Sequence, residues 1–168
     1  MNTTIKLGNK VMVSDPCYGL GTWCQGVLEN VLPGNYKCDV EYSDEGDWGE
    51  RVAAIEVRHQ DYDDFVPMDM ENFEVGVDSG QAGIFDYDYY AKYHDGYDVR
   101  PHVDDDWYDG VCDITLSEVS AGDTDELGFV SSSGFGDGCY SCWTAREENG
   151  YIVAIRIEFI TEYDEEEE

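Results

Sequence analysis

The sequence is poor in positive charge. Nine Lys and Arg stand against 39 Asp and Glu, a formal net of −30 over 168 residues. The nearest thing to a basic patch is Lys6 with Lys10. Nucleic acid is itself a dense polyanion, so this balance excludes direct binding of DNA or RNA. Histidine is scarce as well. Three residues leave few candidates for a general base, and no Ser–His–Asp or Cys–His arrangement can be assembled from the sequence alone. No stretch approaches the ~20 apolar residues of a membrane span, and Met1-Asn2-Thr3-Thr4-Ile5 lacks an apolar signal core. The expectation is a cytoplasmic protein whose six cysteines are reduced thiols.

Hydrophobic residues make up 42% of the chain, enough for one core at the usual size of a single domain. Tyr supplies 13 of them, and its ring buries while its hydroxyl stays hydrogen-bonded. We therefore expect one folded domain over 1–163, followed by a disordered acidic tail at 164–168 that has nothing apolar to bury. The charge is unevenly spread. Residues 39–74 carry 13 acids against Arg51 and Arg58, and residues 86–126 carry another 13 against Lys92 and Arg100. Residues 1–38 are nearly neutral. Self-repulsion at this density costs stability, so counterions, a bound cation or a basic partner must offset it.

Period-two alternation marks the strands. Tyr151, Val153, Ile155, Ile157 and Phe159 share one face of a central or half-covered strand. Tyr36, Cys38, Val40 and Tyr42 alternate with Lys37, Asp39 and Glu41, and Ala53, Ile55 and Val57 alternate with Glu56 and Arg58. Ser43-Asp44-Glu45-Gly46-Asp47 between them is turn chemistry, so the two runs form a hairpin whose exposed face is charged. Shorter strands are expected at 10–14, 73–77, 110–116 and 127–132. One helix is expected at 22–32, capped by Thr22 and stopped by Pro33-Gly34, and a second at 86–93, with Asp86 and Asp88 in its first turn. Residues 94–109 read as a long acidic loop. The fold class is α+β: a mostly antiparallel β-sheet, as a sandwich or a strongly curved sheet, with one or two short helices.

Two segments, 77–86 (Val-Asp-Ser-Gly-Gln-Ala-Gly-Ile-Phe-Asp) and 131–140 (Ser-Ser-Ser-Gly-Phe-Gly-Asp-Gly-Cys-Tyr), resemble a bacterial and phage family, domain-of-unknown-function family 4241. The likeness covers the C-terminal half, with a weaker echo at Ser14-Asp15-Pro16-Cys17-Tyr18. The resemblance implies a compact β-rich fold in a bacterial or phage setting, and no catalytic residues. The acidic blocks and the tail lie outside these motifs.

Other constellations admit a bland reading beside a functional one. Gly134-Phe135-Gly136-Asp137-Gly138 resembles a phosphate cradle, but a strand follows it and an Asp sits inside it, so a tight turn explains it better. Cys139 and Cys142 have the spacing of half a zinc site, which Cys17 and Cys24 could complete only if the fold brings them close; buried thiols are the simpler reading. His94, Asp95, Asp98, His102, Asp104, Asp105 and Asp106 are candidate ligands for a metal, without the EF-hand spacing. Asp78, Ser79 and Gln81 beside Asp86 offer paired carboxylates, or a glycine-rich turn with Asp caps. The reading favours no catalytic residues, no resident metal and no cofactor.

The acid-rich blocks carry the strongest positive argument, because an ordered array of carboxylates can stand in for phosphates. The expected function is that of an acidic phage or mobile-element protein in the cytoplasm of a bacterial host. It would block a basic, nucleic-acid-binding defence protein, as DNA-mimic inhibitors of CRISPR or restriction systems do. An immunity-type module against a basic toxin and a small metal-dependent enzyme remain as alternatives. The candidate partner-binding residues are Asp44, Glu45, Asp47, Trp48, Asp61, Tyr62, Asp63 and Asp64 in the first block. In the second they are Tyr97, Asp98, Asp104, Asp105, Asp106, Trp107 and Tyr108. The aromatics among them are expected to anchor the contact.

Overall fold

The computed structural model describes residues 3–18, 25–62, 70–95, 102–103, 105–134 and 136–160; side chains at 48, 70–72, 94–95, 102–103 and 105–106 lie outside that description. In chain order the strands are β1 (Thr3–Leu7), β2 (Val11–Ser14), β3 (Gly26–Leu28), β4 (Gly34–Asp44), β5 (Glu50–His59), β6 (Met70–Val77) and β7 (Gln81–Asp86). Helix α1 (Tyr87–Tyr93) follows, then β8 (His94–Asp95), β9 (His102–Val103) and helix α2 (Asp105–Thr115). The chain continues through β10 (Ala121–Thr124), β11 (Gly128–Ser132), β12 (Gly138–Arg146) and β13 (Ile152–Glu158).

The strands build two antiparallel sheets. One has the order β1-β4-β5-β13-β12-β6 and the other β10-β11-β7-β2-β3, with β8 and β9 as a separate pair. Alternation decides how the layers stack. On the second sheet Val11, Val13, Ile84 and Phe129 join Ile5, Tyr36, Ile55, Val57, Val75, Ile155 and Ile157 of the first in one core. Their neighbours Met12, Phe85 and Val130 point the other way and join Tyr89 and Tyr90 of α1 with Trp107 and Val111 of α2 in another. The molecule is thus a β-sandwich with two helices laid over one outer face. The second sheet is the middle layer, which is why β2 is buried throughout and β7 is buried from Gln81 to Phe85. The first sheet keeps its outer face in water.

The hairpin at 36–57 and the C-terminal strand form, with two departures from the expected faces: the pairing shifts register between Glu41 and Tyr42 and Tyr42 is exposed, and Tyr151 precedes β13 and is exposed. β13 lies between β5 and β12, a central position that buries Ile152, Val153, Ala154, Ile155 and Ile157 and leaves Arg156 and Glu158 partly exposed on the outer face. The expected strands at 10–14, 73–77 and 127–132 correspond to β2, β6 and β11. The helix expected at 86–93 is α1, with Asp86 as its cap: its Oδ2 accepts from the Tyr89 N–H at 3.4 Å and its Oδ1 from the Gly8 N–H at 2.9 Å.

Two expectations are corrected. The described part of 22–32 holds strand β3 and no helix. Gly26 and Leu28 point inward and Val27 outward, and β2 supplies the hydrogen-bond partners. Gly26 is fixed by a close approach, since a Cβ there would sit 1.8 Å from the Phe73 ring of β6. The second correction concerns 94–116, expected as a loop followed by a strand. Residues 105–115 form α2 instead. Its apolar spacing, Trp107, Val111 and Ile114, is helical and begins inside the acidic run, where charge density obscured it.

Candidate functional site

The three motif segments meet at one end of the sandwich. Two of them are crossings between the sheets: the turn from β6 to β7 at 78–80, and the turn from β11 to β12 at 133–137. The Ser133 N–H donates to the Gly80 carbonyl at 3.0 Å and ties these crossings together. Gly134 and Gly136 have φ of 63° and 111°, in the region that favours glycine, so this loop is the tight turn its composition implied. The third segment leaves the end of β2 and supplies the hub.

That hub is Asp15, which is fully buried. Its Oδ2 accepts from the backbone N–H groups of Asp78 at 2.8 Å and Ser79 at 2.7 Å. Its Oδ1 accepts from the Ser79 hydroxyl at 2.7 Å and the Cys17 N–H at 2.9 Å. Four donors around one carboxylate make its burial tolerable and lock β2 to the β6–β7 turn. The helices are drawn into the same network. The Tyr90 hydroxyl of α1 bonds the Tyr18 carbonyl at 2.5 Å and the Asp15 carbonyl at 3.0 Å. Gln81 donates to Ser79 Oγ and to the Tyr108 hydroxyl, both at 3.2 Å, and accepts from Thr115 Oγ1 of α2 at 2.8 Å. Tyr18 donates to the Asp78 carboxylate at 2.5 Å.

The electrostatics oppose nucleophilic chemistry here. Burial, reinforced by the Asp15 and Asp78 carboxylates, pushes the Cys17 thiol far above the ordinary range. Burial does the same to the Tyr90 hydroxyl and raises that of Tyr108. An activated thiol sits among cations or beside a base and is held low. This cluster instead gathers hydroxyls and a thiol around the Asp15 and Asp78 carboxylates, as a polar joint between segments does. Asp86, grouped with Asp78 in the sequence, belongs elsewhere; the carboxylate that approaches Asp78 and Ser79 is Asp15. The sequence carried a trace of this in the likeness at 14–18, without indicating that the residue is buried.

Cys139 and Cys142 stand three apart on β12 and so emerge on opposite faces: Cys139 is exposed and Cys142 is fully buried. They cannot converge on one ion. Asp98 and Asp104 lie outside the described residues, as do the side chains of His94, Asp95, His102, Asp105 and Asp106. Among the described residues no three His, Cys, Asp or Glu side chains converge as metal ligands.

The candidate partner-binding residues fall in three places. Asp44, Glu45 and Asp47 occupy the tip of the β4–β5 hairpin, with Asp44 and Asp47 exposed and Trp48 at the same tip. Asp61 and Tyr62 follow β5 at its other end, so the strand's ten residues, ~33 Å of extended chain, separate the two groups. Asp63, Asp64 and Tyr97 lie outside the described residues. Trp107 is in the core, 7% exposed, stacked on Tyr93 at 5.5 Å and donating to the Tyr89 hydroxyl at 2.7 Å. It is therefore a packing residue, with no exposed ring to offer a partner. Tyr108 is half-buried against Gln81.

Between the ends of β5, the exposed face of the first sheet is mixed in sign. Arg156 is held by Glu41, by Glu56 at 3.3 Å and by Glu158 at 3.3 Å, and Arg58 by Glu56 at 3.1 Å. Glu56, Trp143, Arg156 and Glu158 line an open depression of about 330 Å³ on this face.

Comparison with known proteins yields one match. The model of a family described as a protein of unknown function (DUF4241) matches residues 7–157. The chain belongs to that family, and the likeness expected for the C-terminal half extends over most of the sequence. Among curated proteins and among solved structures, none matches. Among the described residues no helix is long and apolar enough to cross a membrane.

Proposed function

We propose that this family member is a non-enzymatic, polyanionic binding protein that engages a basic protein and competes with that protein's nucleic acid. One observation carries the reading: nine cations stand against 39 acids, and among the described residues the two arginines at the centre of the first sheet are already held by glutamates while many other acids face water. Arg156 and Arg58 are held by glutamates on the same sheet face. Lys10 lies 4.1 Å over the Tyr87 ring and Lys92 5.3 Å over that of Tyr93. Asp44, Asp47, Glu50, Asp61, Asp109, Asp113, Glu118, Asp125 and Glu126 are exposed. With so few cations the surface stays uncompensated and negative, and such a surface steers basic partners toward it over about one Debye length, ~8 Å at physiological salt. The finer reading is a phage or mobile-element inhibitor of a bacterial CRISPR or restriction protein, acting in the host cytoplasm. It rests on the same charge argument.

The test is displacement. A labelled DNA duplex is bound to a purified restriction or CRISPR effector, and the protein is titrated in at increasing salt. The expected result is loss of duplex from the effector, with affinity falling as salt rises. Replacing Asp104, Asp105 and Asp106 together by Lys should weaken displacement, and the same replacement at Asp61, Asp63 and Asp64 asks whether the first block shares the contact. Inhibition unchanged in both reversed variants, or a stable ternary complex with DNA, defeats the reading. A basic toxin that binds without such competition would favour the immunity-type alternative.

A further inference from the structure

Two segments far apart in sequence bring exposed apolar residues to one turn with exposed acids beside it. Leu116 is 83% exposed, Val119 48% and Tyr42 38%, three of the five exposed large apolar side chains among the described residues. Scattered exposed apolar residues need no explanation, but a group of them does. The Tyr42 hydroxyl of β4 donates to the Val119 carbonyl and fastens the turn after α2 to the base of the hairpin tip. That turn is itself held. The Leu116 N–H donates to the Cys112 carbonyl at 2.9 Å, the Ser117 N–H to Ile114 at 3.2 Å and the Ser120 N–H to Ser117 at 3.1 Å. Leu116 and Val119 are therefore fixed in solvent by a hydrogen-bonded turn.

The surroundings are mainly acidic. Asp44, Asp47 and Glu50 on the hairpin and Glu118 on the turn are exposed, and the cation beside them is Arg51, half-buried and paired across the hairpin with Ser43. An apolar centre with a charged rim is the anatomy of a protein contact, in which the centre supplies affinity and the rim supplies steering and register. We infer that Tyr42, Leu116 and Val119, with the hairpin-tip acids, form the docking surface for a basic protein segment that presents an apolar side chain between Lys or Arg residues. Charge complementarity selects that occupant. A second copy of this chain brings the same acidic rim and is repelled. The inference rests on the polyanionic-binding reading and adds where the partner sits and what it must offer besides charge.

The experiment uses the isotopically labelled full chain near physiological salt and two synthetic peptides of equal positive charge, one alternating Lys with Leu and the other Lys with Ser. The Lys–Leu peptide should bind more tightly and shift the amide resonances of 42–50 and 115–120 more than others. Replacing Leu116 and Val119 together by Ser should weaken that peptide about tenfold, leave the Lys–Ser peptide unchanged and leave the melting temperature unchanged, since both side chains are exposed. Equal affinity for the two peptides, shifts centred elsewhere, or an unaffected double variant overturns the docking surface while leaving polyanionic binding standing. Failure of both peptides to bind removes both. Self-association of the protein alone, abolished by the double variant, would give the surface to a second copy and overturn the inference.

Discussion

Asp15 and Ser79 meet twice: the carboxylate of Asp15 takes the Ser79 N–H at 2.7 Å and the Ser79 hydroxyl at 2.7 Å, and it also takes the N–H of the neighbouring Asp78 at 2.8 Å. Removing the carboxylate leaves buried donors without acceptors, each costing about 1–3 kcal/mol. Asp15→Ala should destabilise by about 3 kcal/mol or more and Ser79→Ala by about 1 kcal/mol, read from urea unfolding midpoints. An Asp15→Ala cost below about 1 kcal/mol would mean that water replaces the carboxylate and that the joint is not structural.

Trp107 lies among acids in the sequence and in the core of the fold. Trp107→Ala should cost about 3–5 kcal/mol through the cavity it leaves between α2, α1 and the middle sheet. Trp107→Phe should cost less, losing the hydrogen bond to Tyr89 but keeping most of the packing. Native-like stability in the Ala variant would show that α2 does not pack as described.

Buried thiols make the fold sensitive to alkali. Burial holds Cys142 and Cys38 well above the ordinary thiol range, with Asp123 and Asp39 adding to the effect at Cys38. The neutral thiol is therefore the folded form, whereas the unfolded chain releases its proton near pH ~8.5. Their contribution is fully present below that pH and is lost as pH rises. At pH 10 each thiol should cost about 2 kcal/mol relative to pH 7. Urea midpoints at the two pH values measure the loss, and Cys142→Ala should show a shallower decline. A midpoint unchanged up to pH 10 would contradict the buried placement.

Arg156 is one cation among three carboxylates, and hydrogen bonding to it holds Glu41 below the usual carboxylate range. Arg156→Met leaves Glu41, Glu56 and Glu158 facing one another on adjacent strands. The variant should lose about 1–3 kcal/mol at low salt and recover much of it at about 1 M salt, where repulsion is screened. A loss independent of salt would assign the role of Arg156 to packing of its stem.

Some of this was legible in the residues. The hairpin of β4 and β5 announced itself by alternation and a polar turn, β13 by an apolar run too dense for a surface strand, and α1 by Asp86 at its start. Each is a signal carried within about ten residues. The helix α2 was harder to see, because Trp107, Val111 and Ile114 lie in a segment whose charge reads as loop. The stretch 22–32 has a plausible cap and a stop, yet Gly26–Leu28 became a strand because β2 offered hydrogen bonds and Phe73 needed the space above Gly26.

Strong negative charge and a β-rich, antiparallel architecture can be read from the residues directly, since charge and period-two burial are local properties of the chain. That Asp15 reaches Ser79 across 64 residues and Tyr42 reaches Val119 across 77 emerges from the folded arrangement alone. The same arrangement turns Trp107 inward and Leu116 outward. Those outcomes depend on which sheet face each segment lands on, and that is set by the packing of the two sheets and two helices together, which no single segment encodes.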